Sequence, residues 1–327
     1  MLKKFIDLCA AEKIFDGVGK VLIAVSGGAD SLALAELLIN SRRRFGLELC
    51  IAHFEHGLRG QASIDDAVFV KTFAESHDIE FAGGSGDVKT FAAENKISVE
   101  TAARTLRYEF LSKAKCDFNC DAITLAHHAD DQAETILFRL LRGATSTGLS
   151  AMKFRTLSEY GLLIRPLLRF RKVELEDFCR RRNLSPRLDA TNFETDATRN
   201  KIRLELIPTL EEFNPALVET LCRLSEVTAE ESDFIAAQAD KIFPAVVKDN
   251  SIVRAEFLKL HPAIQRVVIK KFFAQVTGST KDFGFIHVEG VRKVLINSLA
   301  GVELPKNFRA VLKKGRLTIT KNFYRKD

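Results

Sequence analysis

The sequence predicts an α/β fold: a doubly wound parallel sheet in an N-terminal domain, then a long linker helix and a smaller α+β C-terminal domain. Three observations carry this expectation. Short, wholly apolar runs alternate with helical stretches from Val21 to Leu141, a Gly-rich turn follows the first run, and the alternation stops around Pro208 and Asn214-Pro215. Short apolar strands separated by helices indicate a parallel sheet covered on both faces.

The elements follow in order. Val21-Leu22-Ile23-Ala24-Val25 reads as a buried strand, and after the turn Leu32, Leu34, Ala35, Leu37 and Leu38 sit on a helix. Leu47 to His53 is strand-like, and Asp65 to His77 is helical, with Ala67, Val68, Val70 and Phe73 apolar. Ile79-Glu80-Phe81 forms a third strand, followed by helical stretches through Phe91 and from Val99 to Lys115. Asp121 to Ala126 is a fourth strand, and Asp130 to Leu141 another helix. Beyond Pro215, Ala216 to Ile242 reads as one amphipathic helix carrying Leu217, Leu221, Leu224, Val227 and Ile235. A mostly helical segment continues to Leu299. A β-rich end follows, with Val302–Leu304 and Leu317–Thr320 around a Lys313-Lys314-Gly315 turn. A length of 327 residues favours about two domains, and the expected division is 1–215 and 216–327.

Composition narrows the class. Hydrophobic residues at 46% with 28% charged allow a substantial core. No apolar run is long enough to span a bilayer, so no membrane is expected, and Asp7 and Glu12 break any secretory pattern at the start. Six scattered cysteines without a Cys-x-x-Cys pair fit reduced thiols in a cytoplasmic protein. The net charge of +6 is unevenly spread. From Ser251 onward 16 Lys and Arg face 5 Asp and Glu, a balance of +11, whereas residues 1–250 carry −5. With a second basic stretch from Arg165 to Arg187 containing Arg169, Arg171, Lys172, Arg180, Arg181 and Arg182, this fits a polyanionic partner.

The chemistry centres on Ser26-Gly27-Gly28-Ala29-Asp30-Ser31. Glycines let the backbone turn sharply and bring N–H groups to an anion, while the following helix N-terminus adds partial positive charge. Ser26 and Ser31 add hydroxyls. No Lys follows, unlike the loop that grips a γ-phosphate. Asp30 among phosphates requires a cation, which implies Mg²⁺. The plain alternative is a tight βα turn with an Asp/Ser cap. Arg104 and Arg107, three apart on one helix, face one way and suit phosphate. Asp131 and Glu134 share that spacing and suit a cation such as an ammonium group or Mg²⁺, against the alternative of a solvated acidic face. His53 and His56 lack further ligands at metal spacing and read as strand-end or loop imidazoles. Arg199 and Arg203 follow the basic stretch and suit RNA or phosphate. Lys313, Lys314 and Arg316 cluster on the final hairpin and suit nucleic-acid phosphates.

The Gly-rich loop resembles the signature of the ATP-pyrophosphatase (PP-loop) superfamily, which splits ATP between its α- and β-phosphates. Four further stretches resemble its tRNA(Ile)-lysidine synthetase branch. They are His53-Phe54-Glu55-His56-Gly57-Leu58-Arg59, Glu100 through Tyr108, His127-His128-Ala129-Asp130-Asp131-Gln132-Ala133-Glu134-Thr135, and Arg165-Pro166-Leu167 with Asn192 through Arg203. Two positions depart from the family pattern: Thr145, after Arg142-Gly143, replaces a glycine, and Glu55 stands where Asn or Asp is usual. The resemblance implies ATP and Mg²⁺ as cofactors. It implies free lysine and an isoleucine tRNA with a CAU anticodon as substrates, and a short form with one C-terminal domain. A homodimer is one assembly open to it. It also implies adenosine near His53 and His127, and substrate contacts from Arg142 and Gly143. A tRNA thiolation enzyme of the same superfamily and a non-catalytic ATP-binding module are the competing readings.

Overall fold

In the computed structural model, residues 1–57, 61–187 and 197–321 are described. Leu58, Arg59 and Asn192, quoted in the sequence motifs, and the basic residues Arg325 and Lys326 near the C-terminal end lie outside the described residues. The chain divides into two compact units, Met1–Leu141 with Ala151–Leu224, and Arg142–Ser150 with Ser225–Asp327.

In the first unit, α1 (Leu2–Ala11) precedes β1 (Lys20–Ala24), α2 (Ala29–Phe45), β2 (Glu48–Glu55), α3 (Gln61–Ser76) and β3 (Glu80–Ser85). Next come α4 (Val88–Asn95), α5 (Val99–Asp117), β4 (Ala122–Thr124) and α6 (Ala129–Leu141). The short α7 (Ser146–Leu149) belongs to the second unit. The first resumes with β5 (Arg155–Ser158), β6 (Gly161–Ile164), α8 (Lys172–Arg181), α9 (Ala197–Lys201), a π-helical turn at Ile202–Leu206, and α10 (Ile207–Phe213). The sheet order is β3-β2-β1-β4-β6-β5, with only the edge strand β5 antiparallel. β1 occupies the middle because Val21, Leu22 and Ile23 are fully buried, one face against Leu32, Leu34 and Leu38 and the other against Tyr108 and Leu111. Burial on both faces is what an unbroken apolar run predicts.

A long helix, α11 (Leu217–Val246), leads to a five-stranded antiparallel sheet ordered β7-β8-β11-β10-β9. Its strands are β7 (Val247–Lys248), β8 (Ser251–Val253), β9 (Gly301–Leu304), β10 (Phe308–Lys313) and β11 (Arg316–Lys321). Between β8 and β9 run α12 (Arg254–Phe257), α13 (Pro262–Thr277) and α14 (Phe285–Asn297), burying Phe257, Phe272, Phe273 and Val291 on the sheet. The expected C-terminal hairpin forms, with Lys314 and Gly315 at φ 47° and 74° as a two-residue turn requires. Two hairpins were not expected from the sequence. β7–β8 turns at Asp249-Asn250, both at positive φ, inside a stretch read as helical, and β5–β6 turns at Gly161. Their strands are too short to show a period. Among the described residues no helix is long and apolar enough to cross a membrane.

Gly84 of β3 lies under the Phe110 ring of α5, and an added Cβ would sit inside van der Waals contact with three ring carbons. Gly84→Ala is expected to destabilise the fold by about 1–3 kcal/mol, read as a lower denaturant midpoint. An unchanged midpoint would mean the ring turns aside freely.

Candidate active site

The winding direction of the parallel strands reverses between β1 and β4, and open α/β sheets bind ligands at that reversal, beyond the carboxyl ends of the strands. The Gly-rich turn leaves β1 there, and His127-His128 leaves β4 beside it. Gly27 has φ 93°, which an L side chain rarely adopts, and its carbonyl accepts from the Arg187 N–H at 3.0 Å. The turn is closed by hydroxyls. The Ser26 N–H donates to Ser31 Oγ at 3.1 Å, Ser31 Oγ donates to the Gly28 carbonyl at 3.0 Å, and the two hydroxyl oxygens are 3.1 Å apart. Gly28 caps α2 without a side-chain bond, so the first amides of a 17-residue helix stay open to an anion. His53 Nδ1 lies 2.9 Å from the Val25 carbonyl, tying the end of β2 to the start of the turn.

Three carboxylates meet on one imidazole. His128 Nε2 lies 3.5 Å from Asp30 Oδ2 and from Asp131 Oδ2, and Nδ1 lies 3.5 Å from Asp130 Oδ2. Asp131 also accepts from the His128 N–H at 2.9 Å. Burial pushes this imidazole down, but Asp131, Asp130 and Asp30 outweigh it and carry it up to about 10. Asp130 is held from behind by the Lys172 N–H at 2.7 Å and by Arg171, which also reaches Glu211 and Glu219. Burial alone would raise the Asp130 carboxyl. Its bonds to His128 and Lys172 hold it well below the usual carboxylate range.

Glu134, one turn further along α6, is buried and bound two-fold by Arg203, at 2.5 Å from Nε and 3.1 Å from Nη2. Arg203 Nη2 reaches Asp131 Oδ1 at 3.7 Å. The pair is therefore not a solvated face. Arg203 projects from the π-helical turn, where the wider winding re-aims a side chain.

His127, the neighbour of His128, lies in the opposite environment. Burial is the larger cause pushing its imidazole down to about 4, and the charges of Arg165, Arg107 and Arg104 add to it against Asp131. It is neutral at pH 7 while His128 is charged.

The structure thus gathers Ser26 to Ser31, His53, Arg104, Arg107, His127, Asp131, Glu134 and Arg203 in the first unit. Arg199 is there too, 3.6 Å from Glu100 and stacked over Phe138. Arg142, Gly143, Lys313, Lys314 and Arg316 belong to the second unit. Sequence reasoning did not single out His128, Asp130, Arg165 and Arg171. His128, Asp130 and Arg165 stood inside quoted motifs, but only what each approaches in the fold reveals a role. Arg171 looked like one member of a basic run, and the structure makes it the counter-ion of three carboxylates.

A buried carboxylate oxygen without a hydrogen bond fits a cation ligand. Asp30 Oδ1 is buried with no hydrogen bond. Among the described residues no group of three or more His, Cys, Asp or Glu side chains forms a metal cage. Mg²⁺ needs none, since it takes one or two carboxylates and fills its shell with phosphate and water.

Residues 3–210 match the PP-loop domain family. The chain is 36% identical over 295 residues to a tRNA(Ile)-lysidine synthase of Clostridium perfringens, covering 89% of this chain and 62% of that protein. It is 32% identical over 327 residues to one of Caldanaerobacter subterraneus, covering 98% and 69% respectively. It spans less than two thirds of the C. perfringens relative. Among solved structures, a U34-tRNA thiolase from Methanococcus maripaludis superposes with a TM-score of 0.59 at 18% identity, over 70% of this chain and 79% of that one, and so shares the fold.

His128 offers a titration test. A folded-state value raised from about 6.5 to about 10 stabilises the protein fully below the lower figure, and that contribution is lost as pH rises through the upper one. Without Mg²⁺, the His128 ring resonance should titrate well above pH 7, and Asp131→Asn should lower its midpoint. A midpoint at the free-histidine value in the parent protein would remove the charged triad.

Proposed function

This chain belongs to the PP-loop family and, within it, to the tRNA(Ile)-lysidine synthases. From that premise we propose that it uses ATP to join free lysine to C2 of the wobble cytidine in an isoleucine tRNA with anticodon CAU, through an adenylated cytidine. The observation that carries the reading is the juxtaposition of an open helix N-terminus with an acidic crevice at the sheet reversal. The family implies ATP, and the amides of α2 with the Ser26 and Ser31 hydroxyls are fitted to hold its pyrophosphate. Asp30 and Asp131 are fitted to hold Mg²⁺, which offsets charge on the phosphates. Arg104 and Arg107, on one face of α5, are suited to offset phosphate charge. The neutral His127 can take part in hydrogen bonds there without adding charge. Glu134 and Asp131, already bridged by Arg203, mark a place built for a positive group, and we assign them to the lysine ammonium. Residues 1–215 would act as the catalytic domain and 216–327 as linker helix and tRNA-binding domain. A cytoplasmic location follows from such a substrate. A thiolation enzyme is supported only at the level of fold, by the thiolase likeness.

Mass spectrometry of unmodified tRNA incubated with protein, ATP and lysine should show the transcript gain one lysine less water. Asp30→Ala should slow that reaction by on the order of a hundredfold or more while leaving the fold intact. An unmodified transcript with the parent protein sinks the function. A near-normal rate in D30A sinks only the assignment of the loop.

On the C-terminal hairpin, Lys313 and Lys314 are exposed, whereas Arg316 is held by Asp249 at 3.1 Å and by Ser251. Replacing Lys313 and Lys314 with Ala should weaken tRNA binding and flatten its salt dependence by about one unit of slope per contact, with ATP binding unchanged. An unchanged slope would leave these lysines as solubilising surface.

A further inference from the structure

Three guanidiniums gather around Tyr108, and among the described residues no carboxylate is paired with any of them. Arg104 Cζ lies 4.8 Å and Arg107 Cζ 5.4 Å from the Tyr108 ring centroid. Arg165, just past the end of β6, is only 7% exposed. Its Nη1 is anchored by the Lys153 carbonyl at 3.2 Å and Thr156 Oγ1 at 3.0 Å, so the β5–β6 hairpin fixes its position. The Nε donors of Arg107 and Arg165 are buried without a hydrogen-bond partner, as is His127 Nδ1, and the buried Tyr108 hydroxyl sits against both guanidiniums without forming a well-aligned bond to either. Asp131, the acidic group acting on His127, is already engaged with His128 and Arg203. Like charges in a low-dielectric place repel, and unmade bonds to buried donors cost free energy. An oxyanion would relieve both at once.

We propose that Arg165, Arg107 and the Tyr108 hydroxyl form a phosphate-oxyanion site with Arg104 at its mouth, distinct from the anion site at the N-terminus of α2. The proposal rests on the nucleotide-and-RNA reading above. The guanidinium fork suits two oxygens of one phosphate, and a rigid hairpin holds it ready. Either of two phosphates could fill the site: one belonging to ATP, or a phosphodiester of the RNA beside the modified nucleotide.

The test compares the parent protein with Arg165→Gln and Arg165→Lys, measuring MgATP affinity, affinity for a tRNA(Ile) transcript across a salt series, and thermal midpoint. If the proposal holds, R165Q loses at least about tenfold in one of the two affinities. A loss confined to the transcript, with the salt slope reduced by about one, identifies a phosphodiester. A loss confined to MgATP identifies a nucleotide phosphate. R165K keeps the charge and should recover part of the loss, which a merely structural role at Lys153 and Thr156 would not predict. Should R165Q fold poorly, the parent's thermal midpoint without nucleotide should rise in inorganic phosphate against chloride at equal ionic strength, and rise less in R165K; an equal rise in both proteins would overturn the site. Both affinities unchanged in a folded R165Q would overturn the site while leaving the lysidine reading in place. A parent protein that binds neither MgATP nor the transcript would overturn both.

Discussion

The constraint on which this structure turns is mutual repulsion among carboxylates. Asp30, Asp130, Asp131 and Glu134 converge where β1 and β4 end. Two like charges about 4 Å apart repel by roughly 4 kcal/mol at an effective dielectric of 20, so four carboxylates cannot share a half-buried crevice without cations. The fold supplies three from three directions: the His128 imidazolium within, Arg203 from the π-helical turn, and Arg171 from the start of α8. The hydrogen bond from Lys172 N–H to Asp130 shows the same demand met by backbone.

Such a balance is useful to a site that must receive cations. On the proposed function, Mg²⁺ would compete with the His128 imidazolium for Asp30 and Asp131, and a ligand ammonium would compete with Arg203 for Asp131 and Glu134. Bound cations would take over a charge balance that the protein otherwise supplies itself. The two side chains diverge because side-chain direction alternates along the extended chain leaving β4. His127 turns toward the guanidiniums and is driven down to about 4, while His128 turns toward the carboxylates and is driven up to about 10. One dipeptide thus separates an anion-accepting side from a cation-accepting one.

Much of the first unit was legible because its signals are local. Unbroken apolar runs announced β1, β2 and β4, and Gly27-Gly28 before an amphipathic run announced the turn and α2. The hairpins β5–β6 and β7–β8 escaped because strands of two to four residues carry no usable period and their pairing is settled by packing. At the site, motif spacing found Asp131 and Glu134 but could not show that Glu134 is buried against Arg203, 69 residues away. Side chains that meet only through the fold leave no spacing to read. Arg165 and Arg171 illustrate the loss most clearly, since in sequence both look like members of one basic stretch. In the fold, one is left without a carboxylate partner and the other is ringed by acids.

The same distinction qualifies what net charge says about the second unit. Its sequence is strongly basic, yet several of its cations are committed internally. Arg266 and Arg292 share Glu289, Lys271 pairs with Asp240, Arg309 with Glu303, and Arg316 with Asp249. Arg254 donates to the last carbonyls of α14. These side chains tie neighbouring helices or neighbouring strands together, and surface ion pairs of this kind contribute little beyond local order. Lys313 and Lys314 stand differently. A two-residue turn with both central residues at positive φ places Lys314 beside Gly315 at the tip, and Lys313 ends β10 in solvent. Lysine carries a compact charge on a flexible stem, suited to following a polyanion's backbone and poor at forked recognition. Arginine, with its rigid fork, is placed instead at Glu134, at Asp130 and in the cluster around Tyr108, where geometry matters. The division of labour between the two cations across the chain matches a protein that must hold one polyanion loosely over a surface and orient another group closely in a pocket.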